Sequence, residues 1–188
     1  MADDTQKIQF VVQPCWLGQV LIAATEKGIC AIALDNSTEN LIVDLKNNLK
    51  NNFPKTSLVL GNSEFESSMR PVLDFVENPQ LIVPFELDIQ GTDFQREVWT
   101  SLLAIAPGET VTYTELTQRM GKSKSSVRAV ANACGKNLIA IAIPCHRVIG
   151  SDGSLRGYRW GKERKRRLLE KENPLGQFSE QQLSLLNF

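Results

Sequence analysis

Ile139-Ala140-Ile141-Ala142-Ile143-Pro144-Cys145-His146-Arg147-Val148-Ile149-Gly150 is the stretch on which the reading of this chain turns. Five apolar residues run up to a proline, and just beyond it a cysteine stands beside the only histidine of the chain. The run reads as strand-like, with Pro144 as its end. A thiol reacts as its thiolate, and a nearby imidazole, directly or through water, is the usual aid to ionisation. Neighbouring side chains often diverge, so these two residues alone fit a buried structural cysteine beside a surface histidine equally well.

Upstream, Thr92 or Asp93 is placed to cap a helix carrying Phe94, Val98, Trp99, Leu102 and Leu103, which Pro107-Gly108 stops. A short helix over 112–120, a break at Gly121 and a helix over 123–134 follow, the outline of a helix-turn-helix. The second of these is built of small side chains, Ser125, Ser126, Ala129, Ala131 and Ala133, around one arginine, Arg128. Small residues let a helix approach something closely, either the domain core or a partner. Downstream, 161–172 reads as a last helix with a dense basic face of Lys162, Arg164, Lys165, Arg166 and Arg167.

The first half has a different texture. Ile8–Val12, Gln19–Ala24 and Ile29–Leu34 are rich in Val and Ile and read as a small antiparallel sheet. Leu41, Leu45 and Leu49 have helical spacing behind a Ser37 or Thr38 cap, and 63–76 reads as a second helix with Phe65, Met69, Leu73 and Val76 on one face. The Pro-bounded 79–84 reads as extended linker. These readings divide the chain into an α/β domain over 1–90, a mostly helical domain over 91–173 and a tail of unknown role over 174–188.

The net charge of zero hides a split. Residues 1–90 hold six Lys and Arg against twelve Asp and Glu, whereas 121–171 hold thirteen against three. A basic half of this kind suits a polyanion. No apolar run reaches membrane-span length, and the acidic, polar start lacks a signal-peptide pattern, so a cytoplasmic protein with no membrane partner is expected. The four cysteines show no CxxC pair and no zinc-ligand spacing, which predicts thiols and no metal.

Arg128-Ala129-Val130, Asn137, Pro144-Cys145-His146-Arg147-Val148 and Gly157-Tyr158-Arg159-Trp160-Gly161, taken together, resemble the O6-alkylguanine-DNA alkyltransferases, or methylated-DNA–protein-cysteine methyltransferases. The bacterial adaptive-response type is nearest in pattern. The likeness runs from about Val11 to Glu172 and is densest from Gly91. It implies a ribonuclease-H-like α/β N-terminal domain and a winged helix-turn-helix-like C-terminal domain. It also implies repair by a single, irreversible transfer of an alkyl group from O6-alkylguanine in double-stranded DNA to Cys145, without a cofactor. O4-alkylthymine is a further possible substrate.

In that likeness His146 is the water-linked base, and Glu172 the carboxylate that orients it. Asn137 braces the turn before the cysteine. Tyr113 crowds the target phosphate and donates to the guanine ring. Tyr158 lies near the guanine oxygen, Arg159 and Trp160 wall the pocket, and Lys165 supports the site. Arg128 fills the gap left by a base swung out of the stack, and Ser125, Ser126 and Ala129 let its helix lie in the minor groove. Lys122, Lys124, Lys136 and Arg147 contact phosphate. Some relatives carry zinc in the first half, but this chain has no histidine there, so none is expected. The extra zinc domain that makes the adaptive-response protein a regulator has no match here. A sister group of non-catalytic sensors of alkylated DNA lacks the cysteine, which Cys145 argues against. Nothing requires more than a monomer.

Overall fold

The computed structural model describes residues 6–52, 56–79 and 82–173. The 174–188 tail and most of the polar start lie outside these residues. The described chain falls into two compact units. One extends to Gly91 and takes in Leu138–Ala140; the other comprises Thr92–Asn137 and the chain from Ile141 onward.

The first unit is a sheet with one long helix against it. Strands β1 (Gln6–Cys15), β2 (Gly18–Thr25) and β3 (Gly28–Asp35) pair antiparallel, as their Val- and Ile-rich pattern predicts. Helix α1 (Thr38–Asn52) lays Leu41, Leu45 and Leu49 over Ile8, Phe10, Leu21, Ala23, Ala31 and Ala33, all buried. The serine of the expected cap is in place, since Asn40 N–H donates to Ser37 Oγ at 3.2 Å.

Two features depart from the sequence reading. A fourth strand, β4 (Thr56–Leu60), adds parallel to β1 and gives the order β3-β2-β1-β4. It is a short edge strand with Leu60 exposed, so burial leaves little pattern in its sequence. The expected single helix over 63–76 is two, α2 (Ser63–Ser68) and α3 (Arg70–Glu77), with a break at Met69. Pro71 has no N–H to continue the first helix, and it sits comfortably in the first turn of a second. The buried face of α3 is accordingly Val72, Phe75 and Val76 rather than Met69 and Leu73.

The second unit is helical. Helix α4 (Asp93–Leu103) opens on a capping box: Thr92 Oγ1 accepts from Gln95 N–H at 3.3 Å, while Gln95 Oε1 accepts from Thr92 N–H at 2.9 Å. A second box, Thr112 with Glu115, opens α5 (Tyr113–Arg119), and Gly121, at φ +67°, ends the turn beyond it. A 3₁₀ turn at Lys124–Ser126 leads into α6 (Val127–Gly135). The Trp99 indole N–H donates to the Ala133 carbonyl at 2.9 Å and ties α4 to the end of α6. Strands β5 (Val111–Thr112) and β6 (Val148–Ile149) form a two-residue parallel pair, and α7 (Lys162–Glu172) closes the described chain.

The run 139–143 is not a strand. Ile139 makes one bridge to Ile32, secured by Ala140 N–H to Ile32 O at 2.8 Å, and the backbone then turns. Ile141 has φ +67°, a conformation that β-branched residues rarely adopt and that costs of order 1–3 kcal/mol.

Within the first unit, Gly28 has φ +142°, and a Cβ there would lie 2.5 Å from the Glu86 carbonyl oxygen. That carbonyl accepts from Ile29 N–H at 2.9 Å, so the glycine is what lets 86–88 lie along β3. Gly28→Ala is expected to lower stability by more than about 1 kcal/mol, read from denaturant unfolding.

Candidate active site

The chain from Pro144 tightens into a 3₁₀ turn over Cys145–Arg147, with Cys145 N–H donating to Ile143 O at 2.8 Å and Arg147 N–H to Pro144 O at 3.0 Å. Three consecutive side chains therefore leave the backbone in different directions. All three are buried.

Cys145 is held by Asn137, which follows the end of α6. The Asn137 amide donates to Ile143 O at 2.9 Å and to Cys145 Sγ at 3.3 Å. Burial pushes the thiol up, while the Asn137 hydrogen bond and the cations Lys165 and Arg159 draw it down. His146 turns the other way. Its Nε2 lies 2.8 Å from Glu172 Oε1 on α7, while its Nδ1 is buried without a hydrogen-bond partner. With a carboxylate at Nε2, that nitrogen carries the proton and Nδ1 is the basic one. Burial lowers the imidazole pKa, helped by Arg147 and Lys165 and opposed by Glu172, so the ring stands neutral and able to accept.

Arg147 corrects the sequence reading. It was expected on phosphate, yet its guanidinium is inside. Nε and Nη2 donate to the two oxygens of Glu172 at 3.0 and 2.8 Å, and Nη1 donates to Ile105 O at 2.5 Å. Burial alone would raise the Glu172 carboxyl; its hydrogen bonds to His146 and Arg147 and the charge of the Arg147 guanidinium overcome it and bring the pKa down to about 2. Lys165, read both as part of the basic face and as support for the site, is fully buried. Its Nζ donates to Val148 O at 2.6 Å and to Arg156 O at 3.4 Å, stapling the segment before α7 to β6. Burial lowers its pKa to about 8.

A pocket of about 540 Å³ opens in this unit. It is lined by Tyr113, by Ala131, Asn132 and Gly135 of α6 with Lys136 just beyond, and by Arg156 and Gly157. A Cβ on Gly157, at φ +83°, would lie 2.8 Å from the Tyr113 hydroxyl. Only glycine leaves room for the phenol there. Tyr158, Arg159 and Trp160 are not among the lining residues. Tyr158 and Trp160 are buried and meet edge to face at 5.2 Å, and Tyr158 in turn lies 6.3 Å from the His146 ring. Burial raises both tyrosine hydroxyls above their usual range, so they are donors at neutral pH.

Lys124, Ser125, Arg128 and Ala129 are exposed and Ser126 half-buried, all at or just before the start of α6. Lys122 is engaged with Glu97 at 2.9 Å and lies over the Phe94 ring. Among the described residues, no group of three or more His, Cys, Asp or Glu could hold a metal ion, and no helix is long and apolar enough to cross a membrane. The sequence reading passed over Asn132, Gly135, Gly157 and Arg156 in the pocket wall. Of these only Gly157 carried a signal, as the residue before Tyr158.

A cysteine beside a neutral histidine that is itself fixed by a buried carboxylate is the arrangement of an activated nucleophile. A family model described as "6-O-methylguanine DNA methyltransferase, DNA binding domain" matches residues 93–174. The bifunctional transcriptional activator/DNA repair enzyme Ada of Escherichia coli is 42% identical over 165 residues, covering 88% of this chain and 45% of that protein. The methylated-DNA–protein-cysteine methyltransferase of Debaryomyces hansenii is 33% identical over 171 residues, covering 86% and 88%. The crystal structure of Mycobacterium tuberculosis OGT in complex with DNA matches with a TM-score of 0.67 at 31% identity, covering 96% of this chain and 99% of that one. The chain belongs to the methylated-DNA–protein-cysteine methyltransferase family. It spans somewhat less than half the length of the Ada relative.

Glu172→Gln would leave Arg147 buried without its counter-charge, at an expected cost of roughly 3–5 kcal/mol near neutral pH. The Glu172 carboxyl titrates lower folded than unfolded, so its contribution is complete above about 4.5 and is lost as pH falls towards about 2. The stability gap between wild type and variant, measured by denaturant unfolding along a pH series, should narrow across that window.

Proposed function

We propose that this protein repairs DNA by taking an alkyl group from O6-alkylguanine onto Cys145 in a single, irreversible turnover. One observation carries the reading: Asn137 holds the Cys145 sulfur while the next residue in the chain, His146, is paired with Glu172 and kept neutral by burial. A non-catalytic sensor of damaged DNA has no use for that network.

In this reading the Cys145 proton passes to His146 Nδ1 through a water. The thiolate attacks the alkyl carbon, a sulfur–carbon bond forms, and the bond from carbon to the guanine oxygen breaks. The electron pair stays on guanine, which takes up the proton that left the thiol. Hydrogen bonds from Tyr113 and Tyr158 stabilise the leaving base. Arg159 favours the thiolate by its charge, and Lys165 positions the segment ahead of the pocket. The product is a thioether with no easy hydrolytic exit, so the protein is spent. No step calls on a cofactor.

The base must leave the duplex to reach a buried sulfur. Arg128 is the residue to take its place in the stack. Exposed small residues beside it, Ser125 and Ala129, suit close approach in a minor groove, and Lys124 suits a phosphate. Helices α5 and α6 with the short β5–β6 pair fit a winged helix-turn-helix, and the sheet with α1 fits a ribonuclease-H-like domain. We place the functional boundary at residues 90 and 91, with 91–173 carrying binding and chemistry. A monomer suffices for this work, and a reducing cytoplasm would keep Cys145 free.

Intact mass after mixing with excess duplex containing O6-methylguanine tests the reading. One methyl group on Cys145, and lesion loss that stops at the protein concentration, are expected. Continued turnover would sink the single-use mechanism, and an unchanged mass would favour a sensor. Cys145→Ala should bind duplex without transfer. Arg128→Ala should slow repair in duplex far more than reaction with a free modified base. Equal slowing would make Arg128 structural.

Trp160 is packed on Tyr158 rather than set in the pocket wall. Trp160→Ala should therefore cost roughly 3–5 kcal/mol of stability by denaturant unfolding. It should bring no gain in reactivity towards O6-benzylguanine. A folded variant with such a gain would return Trp160 to the wall.

A further inference from the structure

The lip of the Tyr113 pocket carries two cations: Lys136, which the family likeness puts on phosphate, and Arg156, which no role described so far uses. Lys136 stands just past the end of α6, and Arg156 stands next to Gly157. Both are exposed. Arg156 has an ion partner, Asp152, with Nη2 to Oδ2 at 2.9 Å, and the two side chains are 82% and 59% exposed. A pair so open to water is screened and holds weakly. The backbone beneath it is firm, because the Arg156 carbonyl accepts from the buried Lys165 ammonium. Asp152 also has a second task on its other oxygen: Oδ1 accepts from Ser154 N–H at 3.0 Å and shapes the turn.

A nucleotide's phosphates are tied to its base through a single sugar. When a base enters a pocket, the phosphates on either side of it must come to rest at the rim. A planar guanidinium is suited to a phosphate's oxygens, and an ammonium supplies a point charge beside it.

We propose that Arg156 and Lys136 form a phosphate-binding lip for the DNA strand whose base occupies the pocket, and that Asp152 holds Arg156 until the strand takes its place. The proposal rests on the pocket being the one that receives the base. A phosphate outcompetes Asp152 because it brings a charge to a guanidinium whose present partner is mostly hydrated. Asp152 is then a competitor that weakens binding slightly, in exchange for keeping the arginine out of the pocket while it is empty.

The test is duplex affinity of the whole chain as a function of salt. On a duplex containing O6-methylguanine, with Cys145→Ala so that no transfer occurs, Arg156→Ala and Lys136→Ala should each reduce the log–log salt slope by about 1, and the pair together by about 2. Arg70→Ala, an equal charge loss in the first unit, should leave the slope unchanged. Asp152→Asn keeps an Oδ1 for Ser154 and gives up the charge. It should tighten binding when Arg156 is present and lose that gain when Arg156 is already Ala. An unchanged slope in Arg156→Ala would overturn the lip. An equal gain from Asp152→Asn with and without Arg156 would show a general charge effect and overturn the exchange.

A transfer arm on the same duplex, with Cys145 intact, separates this proposal from the function it rests on. Normal methylation of Cys145 with unchanged slopes removes the lip alone. Altered slopes with no methylation of wild type leave the lip standing and remove the repair reaction. Failure of wild type to bind duplex at all overturns the lip.

Discussion

Two oxygens of one buried carboxylate organise the second unit. Glu172 receives His146 on one side and both arms of the Arg147 guanidinium on the other, and Arg147 reaches on to the Ile105 carbonyl. A charge in that position is tolerable only because it is paired and hydrogen-bonded on every side, and removing one partner strands the others. The network joins α7, the 3₁₀ turn of the cysteine and the chain after α4. The same arginine has a chemical effect. It supplies the positive charge that Glu172 requires, so the histidine need not, and His146 is free to remain a neutral base.

The site divides its tasks between buried and open groups. Inside, Asn137 holds a sulfur that is almost closed to solvent. At the pocket, Tyr113 reaches across Gly157, whose missing side chain is what admits the phenol. On the surface, the start of α6 offers small residues and one arginine to whatever approaches. Lys165 connects the cysteine turn with the pocket, because the carbonyls it holds lie next to the one and at the rim of the other. Burial raises the thiol and both phenols alike, so ionisation falls to the one group with help at hand.

Local features of the fold were legible in the sequence. Thr92 as a cap, and Leu41, Leu45 and Leu49, name their helices because caps and helical period act over a few residues. Pro71 was as visible as these, but its preference for a first turn was hidden inside a continuous apolar period. The edge strand β4 buries too little to leave a pattern. Ile141 looks like a strand residue and is held in a left-handed turn by its surroundings, which no local rule anticipates. Arg147 was the hardest to place. An arginine beside a catalytic-looking histidine in a basic half reads as a surface cation, and only the fold shows that a carboxylate 25 positions away has drawn it inside. The Cys145, His146 and Glu172 set was readable through family resemblance alone, since spacing in sequence does not announce that distant side chains meet.

That distance has a consequence for how the protein is made. A ribosome delivers the chain in order, and 26 positions separate His146 from Glu172. While that stretch is being synthesised, the nascent chain already contains Cys145, but the histidine is unoriented and Arg147 has no carboxylate to draw it in. The thiol is then an ordinary one. It gains its neighbours only when the last turn of α7 has emerged and packed, so the centre is assembled after that helix is made rather than at the moment its cysteine is added. For the single-use reaction proposed above, this order keeps the sulfur from being spent before the residues that aim it are in place.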